Sequence, residues 1–432
     1  MKKFHFIGIN GAGMSALAQV LFDLGYEVQG SDITSEVFTE YQLKEKGIKI
    51  LPFSAENIVE GYTYIAGNAF NDDHIEIKKA YDEGYPVIRY HEFLSNFMED
   101  YTSIAVTGSH GKTSTTGLLS HVMNGDKETT YLIGDGTGVG KNNADYFAFE
   151  SCEYRRHFLA YHPDYAIITN IDFDHPDYFE DIHDVVSAFK SMAKQVKKAV
   201  IAYGGDQYIE DISLDIPIYT YGIEGDYTVE ARNVEVLDEG TRFELYIKNE
   251  YIDEFLIPMF GDHLILNSLS VLAVCYLEGL DFENIKSAFL TYGGVKRRFS
   301  ETKLKNYIIV DDYAHHPKEI EATLETARKK YKNRKVVAVF QPHTFSRTEK
   351  FLDEFAHSLK EADKVYIVDI FGSARESSGN LSSEDLVKLI PEAELLTEAK
   401  IKDLDQHEDS VIIFMGAGDI QKYEKRFTEL IS

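Results

Sequence analysis

Short hydrophobic runs alternate with amphipathic stretches along almost the whole chain. Near its start, residues 3–9 have the pattern of a buried strand, residues 13–24 that of a helix and residues 26–31 that of a second strand. Parallel strands need a crossover between them, and a helix is the usual one. Shorter units of the same kind continue to about residue 98. The pattern predicts a parallel α/β domain at this end of the chain.

Two further series of strands and helices follow. The second begins with "SIAVTG" at 103–108, and over roughly 226–258 it changes to alternating polar and apolar positions, which predicts hairpins at a sheet edge. The third series begins with "YIIVDDYAHHP" at 307–317. We therefore predict an α/β chain of three domains with boundaries near residues 99 and 297. The domains would be 1–99, 100–297 and 298–432.

Composition narrows the classes of partner. The chain has 432 residues and a formal net charge of −28, with 44 Lys and Arg against 72 Asp and Glu. Such an acidic excess opposes non-specific binding to nucleic acid or to an anionic membrane. No apolar run approaches the roughly 18 residues that a membrane-spanning helix needs. We expect a cytoplasmic protein without nucleic-acid or membrane partners.

The stretch "AVTGSHGKTST" has the form of a phosphate-binding loop. A strand should end at Thr107 and a helix begin near Lys112, so that backbone N–H groups surround a polyphosphate. Lys112, which we expect to be exposed, would reach the phosphates of ATP, and Thr113 would offer its hydroxyl to Mg²⁺. The predicted ATP-binding residues of the loop are Gly108, Ser109, His110, Gly111, Lys112, Thr113 and Ser114.

Two further residues follow predicted strands and are candidate ligands of Mg²⁺. Glu150 ends "DYFAFE", and His175 lies in "TNIDFDHPDYF" after the strand "YAIITN". The carboxyl ends of parallel strands meet at the ligand crevice of a sheet, so these side chains should face the phosphate loop. Together with Thr113 they form the predicted metal site.

The opening stretch "HFIGINGAGM" is a second glycine loop of a different design. Its glycines Gly8, Gly11 and Gly13 do not follow the G-x-G-x-x-G spacing of dinucleotide-binding proteins. Asp32, at the end of the second predicted strand, could still bind a ribose. On the residues of this loop and Asp32 alone, binding of a redox cofactor is therefore an alternative.

Seven motifs, in order along the chain, resemble those of the Mur ligases of peptidoglycan synthesis. They are "GINGAGMSALA", "TGSHGKTSTT", "NIDFDHPDYF", "GDHLILNSLSV", "GVKRRFSE", "DDYAHHPKEI" and "QPHTFSRT". The resemblance implies an N-terminal Rossmann-like domain that binds a UDP-sugar, a central ATPase domain with a P-loop and a parallel sheet, and a C-terminal Rossmann-like domain. The implied UDP-sugar residues are Gly8, Asn10, Gly11, Ala12, Gly13, Met14, Ser31 and Asp32.

The resemblance also implies an activity, in which ATP and Mg²⁺ drive the joining of L-alanine to the carboxylate of UDP-N-acetylmuramate through an acyl phosphate. The implied catalytic residues are Lys112, Glu150, His175, His315 and Arg347. His263 and Asn267 would contact the adenine, Arg298 the ATP phosphates and Asp312 the ATP ribose. Tyr313, His315 and Arg347 would bind the acceptor and the amino acid. We expect a monomer or a weak homodimer.

Parts of the chain depart from the family pattern. "ESCEYRRHF" keeps Glu150 but gives no basis for assigning roles to Glu153 or Arg155. Several sister ligases carry a carbamylated lysine about fifteen residues after the motif histidine. In this chain that histidine is His175, and Lys190 is the candidate for the carbamylated lysine by this spacing. Helical periodicity instead places Phe189 on the apolar stripe and Lys190 toward solvent.

Three other functions stay open at this point. A sister ligase adds a recycled tripeptide to the same UDP-sugar and shares much of the first motif. A nucleotide-dependent switch would hydrolyse ATP slowly and form no amide. An oxidoreductase would use the first loop for a dinucleotide and have no need of Lys112.

Overall fold

The computed structural model describes residues 2–34, 37–372, 376 and 378–432. The first part of the chain forms one sheet with connecting helices. Its elements are β1 (Lys3–Ile7), α1 (Ala12–Asp23), β2 (Glu27–Asp32), α2 (Glu40–Glu45), β3 (Lys49–Pro52), β4 (Tyr62–Ala66), α3 (Ile75–Asp82), β5 (Val87–Arg89) and α4 (Tyr90–Phe97). The strand order is β3-β2-β1-β4-β5 and every neighbouring pair is parallel.

A larger mixed sheet follows. Its elements are β6 (Thr102–Thr107), α5 (Lys112–Asn124), β7 (Thr129–Leu132), β8 (Gly138–Val139), β9 (Tyr146–Glu150), β10 (Tyr165–Ile168), α6 (Ile182–Ala193), β11 (Ala199–Tyr203), β12 (Ile218–Ile223), β13 (Val229–Val236), β14 (Thr241–Ile247), β15 (Glu250–Ile257), α7 (Asp262–Leu277) and α8 (Phe282–Leu290). The strand order is β15-β14-β13-β12-β11-β10-β6-β9-β7-β8. The pairs β13–β14 and β14–β15 are antiparallel, which confirms the hairpins predicted for the sheet edge.

The last part of the chain forms the third sheet. Its elements are β16 (Ser300–Leu304), β17 (Tyr307–Asp312), α9 (Pro317–Lys330), β18 (Val336–Phe340), α10 (Phe345–Lys350), α11 (Leu352–Leu359), β19 (Lys364–Ile367), α12 (Ser383–Val387), β20 (Glu394–Leu395), β21 (Val411–Met415) and α13 (Gln421–Ile431). The strand order is β16-β17-β21-β18-β19-β20, parallel except for β16 against β17.

The central strands of the third sheet are buried on both faces, which explains their unbroken hydrophobic sequences. In β17, Ile308 and Val310 pack into a cluster with residues of α9 and α11, whereas Ile309 packs on the other face with residues of α13. Helices thus cover both faces of the sheet, as in a Rossmann-like domain. The predicted three-domain α/β architecture is confirmed.

The change from one sheet to the next falls between Arg89 and Thr102 and again between Ile257 and Ser300. The predicted boundaries near 99 and 297 lie inside these two intervals and stay predictions.

The first two sheets are joined by a close approach between α1 and β8. A Cβ atom added to Gly138 would lie 1.9 Å from the carbonyl oxygen of Ala16. Nearby, the side chain of Gln19 donates to the carbonyl of Gly136 at 2.7 Å. Only a residue without a side chain allows the α1 backbone to lie this close to the strand.

Candidate active site

The phosphate loop connects β6 to α5, as predicted. Gly108 has φ 136° and Gly111 has φ 81°, conformations that side chains disfavour. A Cβ atom on Gly108 would also lie 2.0 Å from Thr169 Oγ1. Thr169 Oγ1 donates to the carbonyl of His110 at 2.5 Å, and Asn170 Oδ1 accepts from the His110 amide at 3.0 Å. The segment after β10 therefore fixes the shape of the loop.

Lys112 is the first residue of α5 and is largely buried. Its Nζ lies 3.0 Å from Glu153 Oε2 and donates to the carbonyl of Ser109 at 3.1 Å, and only 11% of the side chain is exposed. The expectation of an exposed lysine is therefore wrong. Burial lowers the pKa of Lys112, but the carboxylates of Glu153 and Glu150 more than offset this, so the pKa is raised and the amine is charged.

Glu153 is a site residue that sequence reasoning did not assign. One carboxylate oxygen pairs with Lys112, and the other, Oε1, lies 3.6 Å from Nε2 of His175. The residue is 1% exposed. Its position three residues beyond the end of β9 was the signal available in the sequence, because it lies at the same strand end as Glu150.

Glu150 and Thr113 meet at the start of α5. The Thr113 hydroxyl lies close enough to the Glu150 carboxylate to lower its pKa, and the amide of Gly134 donates to Glu150 Oε2 at 3.0 Å. Burial raises the pKa of Glu150 although Lys112 and Thr113 oppose the rise. The neighbours of Glu150 neutralise the charge of its carboxylate only in part, so this carboxylate is suited to bind a cation.

His175 connects this cluster to the third domain. Burial lowers its pKa, so the imidazole is neutral near pH 7. The adjacent Asp174 accepts a hydrogen bond from Nη2 of Arg347 at 2.8 Å, and both side chains of this pair are at least 92% buried. Burial alone would raise the pKa of Asp174, but Arg347 and His175 hold it well below its usual value. The pair brings Arg347 to the strand end that carries His175.

Two predicted residues of the third domain, His315 and Arg298, contact one carboxylate, that of Glu319 in α9. Its Oε2 lies 3.2 Å from His315 Nδ1, and its Oε1 lies 3.5 Å from Arg298 Nη1. Arg298 also lies over the ring of Tyr313, 5.3 Å from its centroid. Glu319 was not predicted, although its place one helical turn after His315 offered a signal.

Arg298 must be distinguished from its neighbour Arg297, since either could bind a phosphate. Arg297 is 6% exposed and its Nη2 donates to the carbonyl of Gly416 at 2.7 Å. It therefore stabilises the third domain, whereas Arg298 faces a cleft.

This cleft has a volume of about 1060 Å³ and lies between the second and third domains. Its walls include the predicted ATP-binding residues His110, Gly111, Ser114, His263, Asn267, Arg298 and Asp312. Burial lowers the pKa of His263 to about 4 and raises the pKa of Asp312 to about 6. The Asp312 carboxylate accepts hydrogen bonds from the amides of Ala314 and Phe299, at 2.7 and 2.8 Å. The structure thus brings these residues to one cavity beside the phosphate loop.

The first glycine loop lies at the carboxyl end of β1. Gly8 has φ 85°, and Gly11 precedes α1, which begins with Ala12, Gly13 and Met14. The amides of Asn10 and Ile33 donate to the carboxylate of Asp32 at 2.7 and 2.8 Å. Asp32 therefore holds the loop in shape. The side-chain amide of Asn10 is buried without a hydrogen-bond partner among the described residues.

Ser31 lies beside this loop, but its hydroxyl faces inward. It is 0% exposed and donates to Oε2 of Glu76, which also lies 3.5 Å from His5 Nε2. The hydroxyl therefore belongs to a buried hydrogen-bond network, and only the main chain of Ser31 is left to face the loop.

Lys190 lies on the solvent side of α6. Its Nζ lies 3.8 Å from the exposed Asp211, and 36% of its side chain is exposed. Phe189 is fully buried with its ring against Phe158. The helical stripe predicted from the sequence is confirmed.

Three α/β sheets with a phosphate loop facing an interdomain cleft define a multidomain nucleotide-binding protein. Residues 3–102 match the Mur ligase family, catalytic domain; residues 106–275 match the Mur ligase middle domain; and residues 297–418 match the Mur ligase, glutamate ligase domain. The chain belongs to the Mur ligase family, whose members are ATP-dependent ligases of peptidoglycan precursors. This assignment decides against the oxidoreductase and the non-catalytic switch.

Solved structures resemble the chain over nearly its full length. UDP-N-acetylmuramate-alanine ligase MurC from Thermotoga maritima is 28% identical, with 100% of this chain and 99% of that chain covered and a TM-score of 0.84. The murein peptide ligase Mpl from Psychrobacter arcticus is 23% identical, with 100% and 99% covered and a TM-score of 0.72. The MurF ligase from Thermotoga maritima, solved in complex with ADP, is 16% identical, with 93% and 94% covered and a TM-score of 0.65.

No helix among the described residues is both long enough and apolar enough to cross a bilayer.

Proposed function

We propose that the protein joins L-alanine to the carboxylate of UDP-N-acetylmuramate and converts ATP to ADP and phosphate. The observation that carries the proposal is a junction between the second and third domains. Lys112 and His175 both contact Glu153, and Asp174, beside His175, pairs with Arg347 of the third domain. The full-length likeness to the alanine ligase of Thermotoga maritima supports this choice of substrates.

The chemistry requires activation because a free carboxylate does not react with an amine. A carboxylate oxygen of UDP-N-acetylmuramate attacks the γ-phosphorus of ATP, and the bond to the β,γ-bridging oxygen breaks to release ADP. The amine of alanine then attacks the carbonyl carbon of the acyl phosphate. Phosphate leaves, the amine loses a proton, and an amide remains.

Lys112 and the loop amides neutralise charge on the phosphates during the first step. Glu153 holds the Lys112 amine at the loop, and the loop carbonyls of Gly108 and Ser109 orient it. The remaining loop residues proposed to contact ATP are His110, Gly111, Thr113 and Ser114. His263, Asn267, Arg298 and Asp312 bind the rest of the nucleotide in the cleft.

The residues at the start of α5 fit Mg²⁺, which prefers oxygen ligands. Thr113 and Glu150 offer two oxygens, and the raised pKa of Glu150 marks a carboxylate that lacks a full counter-charge. His175 is the third proposed ligand. When bound, the ion would neutralise phosphate charge in the transition state.

The third domain supplies the residues for the acceptor and the amino acid. Arg347 is a fixed cation beside the reacting groups and suits the carboxylate of alanine. His315 and Tyr313 lie on the same segment after β17, where Glu319 orients His315. We further propose that the domains are 1–99, 100–297 and 298–432.

The first glycine loop is proposed to hold the diphosphate of the UDP-sugar. Its position at the carboxyl end of a parallel strand and at the start of α1 supports this. The residues proposed for the UDP-sugar as a whole are Gly8, Asn10, Gly11, Ala12, Gly13, Met14, Ser31 and Asp32, of which Ser31 can contribute only its main chain.

The test is phosphate release from ATP with UDP-N-acetylmuramate and one amino compound at a time. We expect release with L-alanine, matched by an equal amount of amide product, and only background release without it. Release driven instead by a recycled tripeptide would assign the chain to the sister ligase. ATP hydrolysis without amide formation would contradict both assignments.

A further inference from the structure

The segment after β9 places a thiol beside Glu153 and His175. The ligand atoms of Cys152, Glu153 and His175 all lie within 4.8 Å of one another. Cys152 is an exposed residue, although the protein around its thiol raises the pKa of that group, so a bound cation has to displace the thiol proton. The other cysteine, Cys275, is buried in α7.

Glu153 gives the cluster an unused ligand atom. Its Oε2 pairs with Lys112, but Oε1 is buried and has no hydrogen-bond partner among the described residues. This oxygen points toward His175, 3.6 Å from Nε2. A buried carboxylate oxygen without a partner is unfavourable, and a bound cation removes that cost.

The donor set is a sulfur, an imidazole nitrogen and a carboxylate oxygen. Zn²⁺ binds such sets in tetrahedral geometry, whereas Mg²⁺ prefers oxygen ligands and octahedral geometry. Ion-to-ligand distances of about 2.0–2.3 Å place tetrahedral ligands about 3.5 Å apart. Separations of up to 4.8 Å in the cluster have to shorten to this spacing, and three ligands leave the fourth tetrahedral position open.

We propose that Cys152, Glu153 and His175 bind a thiophilic divalent cation, with Zn²⁺ as the representative ion. The site differs in chemistry from the proposed Mg²⁺ site at Thr113 and Glu150, although His175 belongs to both. Occupation by Zn²⁺ engages Glu153 through Oε1 and removes His175 from Mg²⁺. Zn²⁺ therefore inhibits the ligase reaction; this consequence rests on the proposed function, whereas binding itself does not.

Binding is tested first, by calorimetry with Zn²⁺ alone on untagged protein without substrates. The wild type and the C275S variant should bind one ion at this site with equal affinity. In C152S the affinity should fall by about 100-fold, since even the loss of an indirect partner costs 10–100-fold. Unchanged affinity in C152S overturns the proposal.

Spectroscopy identifies the ligand. Co²⁺ in place of Zn²⁺ should give a thiolate-to-metal charge-transfer band in the wild type and in C275S but not in C152S. A second candidate cluster, consisting of His110, Asp172 and His316, has no thiol. The H316A variant should therefore retain the band, and binding that disappears in H316A but persists in C152S contradicts the assignment.

Inhibition is tested separately, with each variant compared with its own rate in Mg²⁺ alone. The Zn²⁺ concentration for half inhibition should be at least about tenfold higher in C152S than in C275S. Tight binding without inhibition would leave the metal site intact and refute its regulatory role. Absence of ligation in every variant would instead refute the proposed function.

Discussion

At the scale of single residues, Lys112 carries two roles that can be separated. It is proposed to neutralise ATP phosphates, and it is also the counter-charge of the buried Glu153. Loss of one transition-state contact of this kind costs roughly 3–4 kcal/mol, or about 100- to 1000-fold in rate. Loss of a partner from a buried pair also destabilises the fold.

We therefore predict that Lys112→Met lowers the ligation rate about 100- to 1000-fold and lowers the melting temperature. Adding Glu153→Gln should restore most of the melting temperature, because no unpaired carboxylate remains, but not the activity. Phosphate release and thermal melting measure the two effects, with Lys190→Met as the surface control. Ligation at near wild-type rate in Lys112→Met would contradict the assignment.

Glu424 is a second residue with a measurable effect, far from the phosphate loop. Burial in α13, with Asp311 nearby, raises its pKa to about 7 from an ordinary value of 4.5. The folded protein holds this proton more tightly than the unfolded chain does. Glu424 therefore lowers the free energy of unfolding progressively as pH rises from about 4.5 to about 7.

Glu424→Gln keeps a neutral group at every pH. Above pH 7 the free energy of unfolding of the variant should exceed that of wild type by about 1–2 kcal/mol, after allowance for solvent screening. At pH 4.5 the two free energies should be almost equal. Melting curves at several pH values measure this, with the exposed Glu429→Gln as control. A difference that does not change with pH would disprove the raised pKa.

The site residues divide into those that local sequence could predict and those that it could not. Glycines that need positive φ and the lysine that follows them are local features, so the glycine turn between β6 and α5 was predicted correctly, whereas its contact with ATP stays a prediction. The pairing of Lys112 with Glu153, and of Asp174 with Arg347, depends on which segments the sheets bring together. Such contacts between distant segments leave no periodic signal in the sequence.

At the scale of elements, the hydrophobic periodicity predicted which segments are strands and which are helices. The observed boundaries differ from the predicted ones by a few residues. The helix predicted at 13–24 is α1, Ala12–Asp23, and the predicted strand "YAIITN" at 165–170 ends at Ile168. Its last predicted residues, Thr169 and Asn170, instead brace the phosphate loop. These two polar residues at the strand end therefore shape the site and do not extend the sheet.

The contact of α1 with β8 gives a prediction at this scale. In Gly138→Ala the new methyl group would meet the backbone of Ala16, so α1 must move away from the strand. Overpacking of this kind costs about 1–3 kcal/mol. We expect a lower melting temperature and weaker binding of UDP-N-acetylmuramate.

Gly293→Ala is the matched control, because a Cβ atom there meets nothing within 4 Å and no positive φ is involved. Its free energy of unfolding should lie within about 0.5 kcal/mol of the wild-type value. Equal stability of the two variants would show that α1 adapts to the methyl group without strain.

At the scale of the whole molecule, the second and third domains are already in contact. The buried pair of Arg347 and Asp174 and the pair of Lys318 and Asp172, both with 2.8 Å between charged atoms, join the two domains. The sequence predicted three domains. It could not predict how close the second and third domains lie, because the ion pairs that set this distance join residues far apart in the chain. Such contacts favour a closed arrangement before substrates bind.

The last prediction tests this closure through Asp174→Asn. The amide keeps the shape of the carboxylate but removes its charge, so Arg347 loses its counter-charge in a buried place and the domains should separate. X-ray scattering without ligands should give a larger radius of gyration for the variant than for wild type. ATP with UDP-N-acetylmuramate should shrink the variant more than the wild type, because substrate binding then has to close the cleft. Asp211→Asn, which removes an exposed ion pair with Lys190, should scatter like wild type. Identical radii for wild type and Asp174→Asn would show that the buried pair does not hold the two domains together.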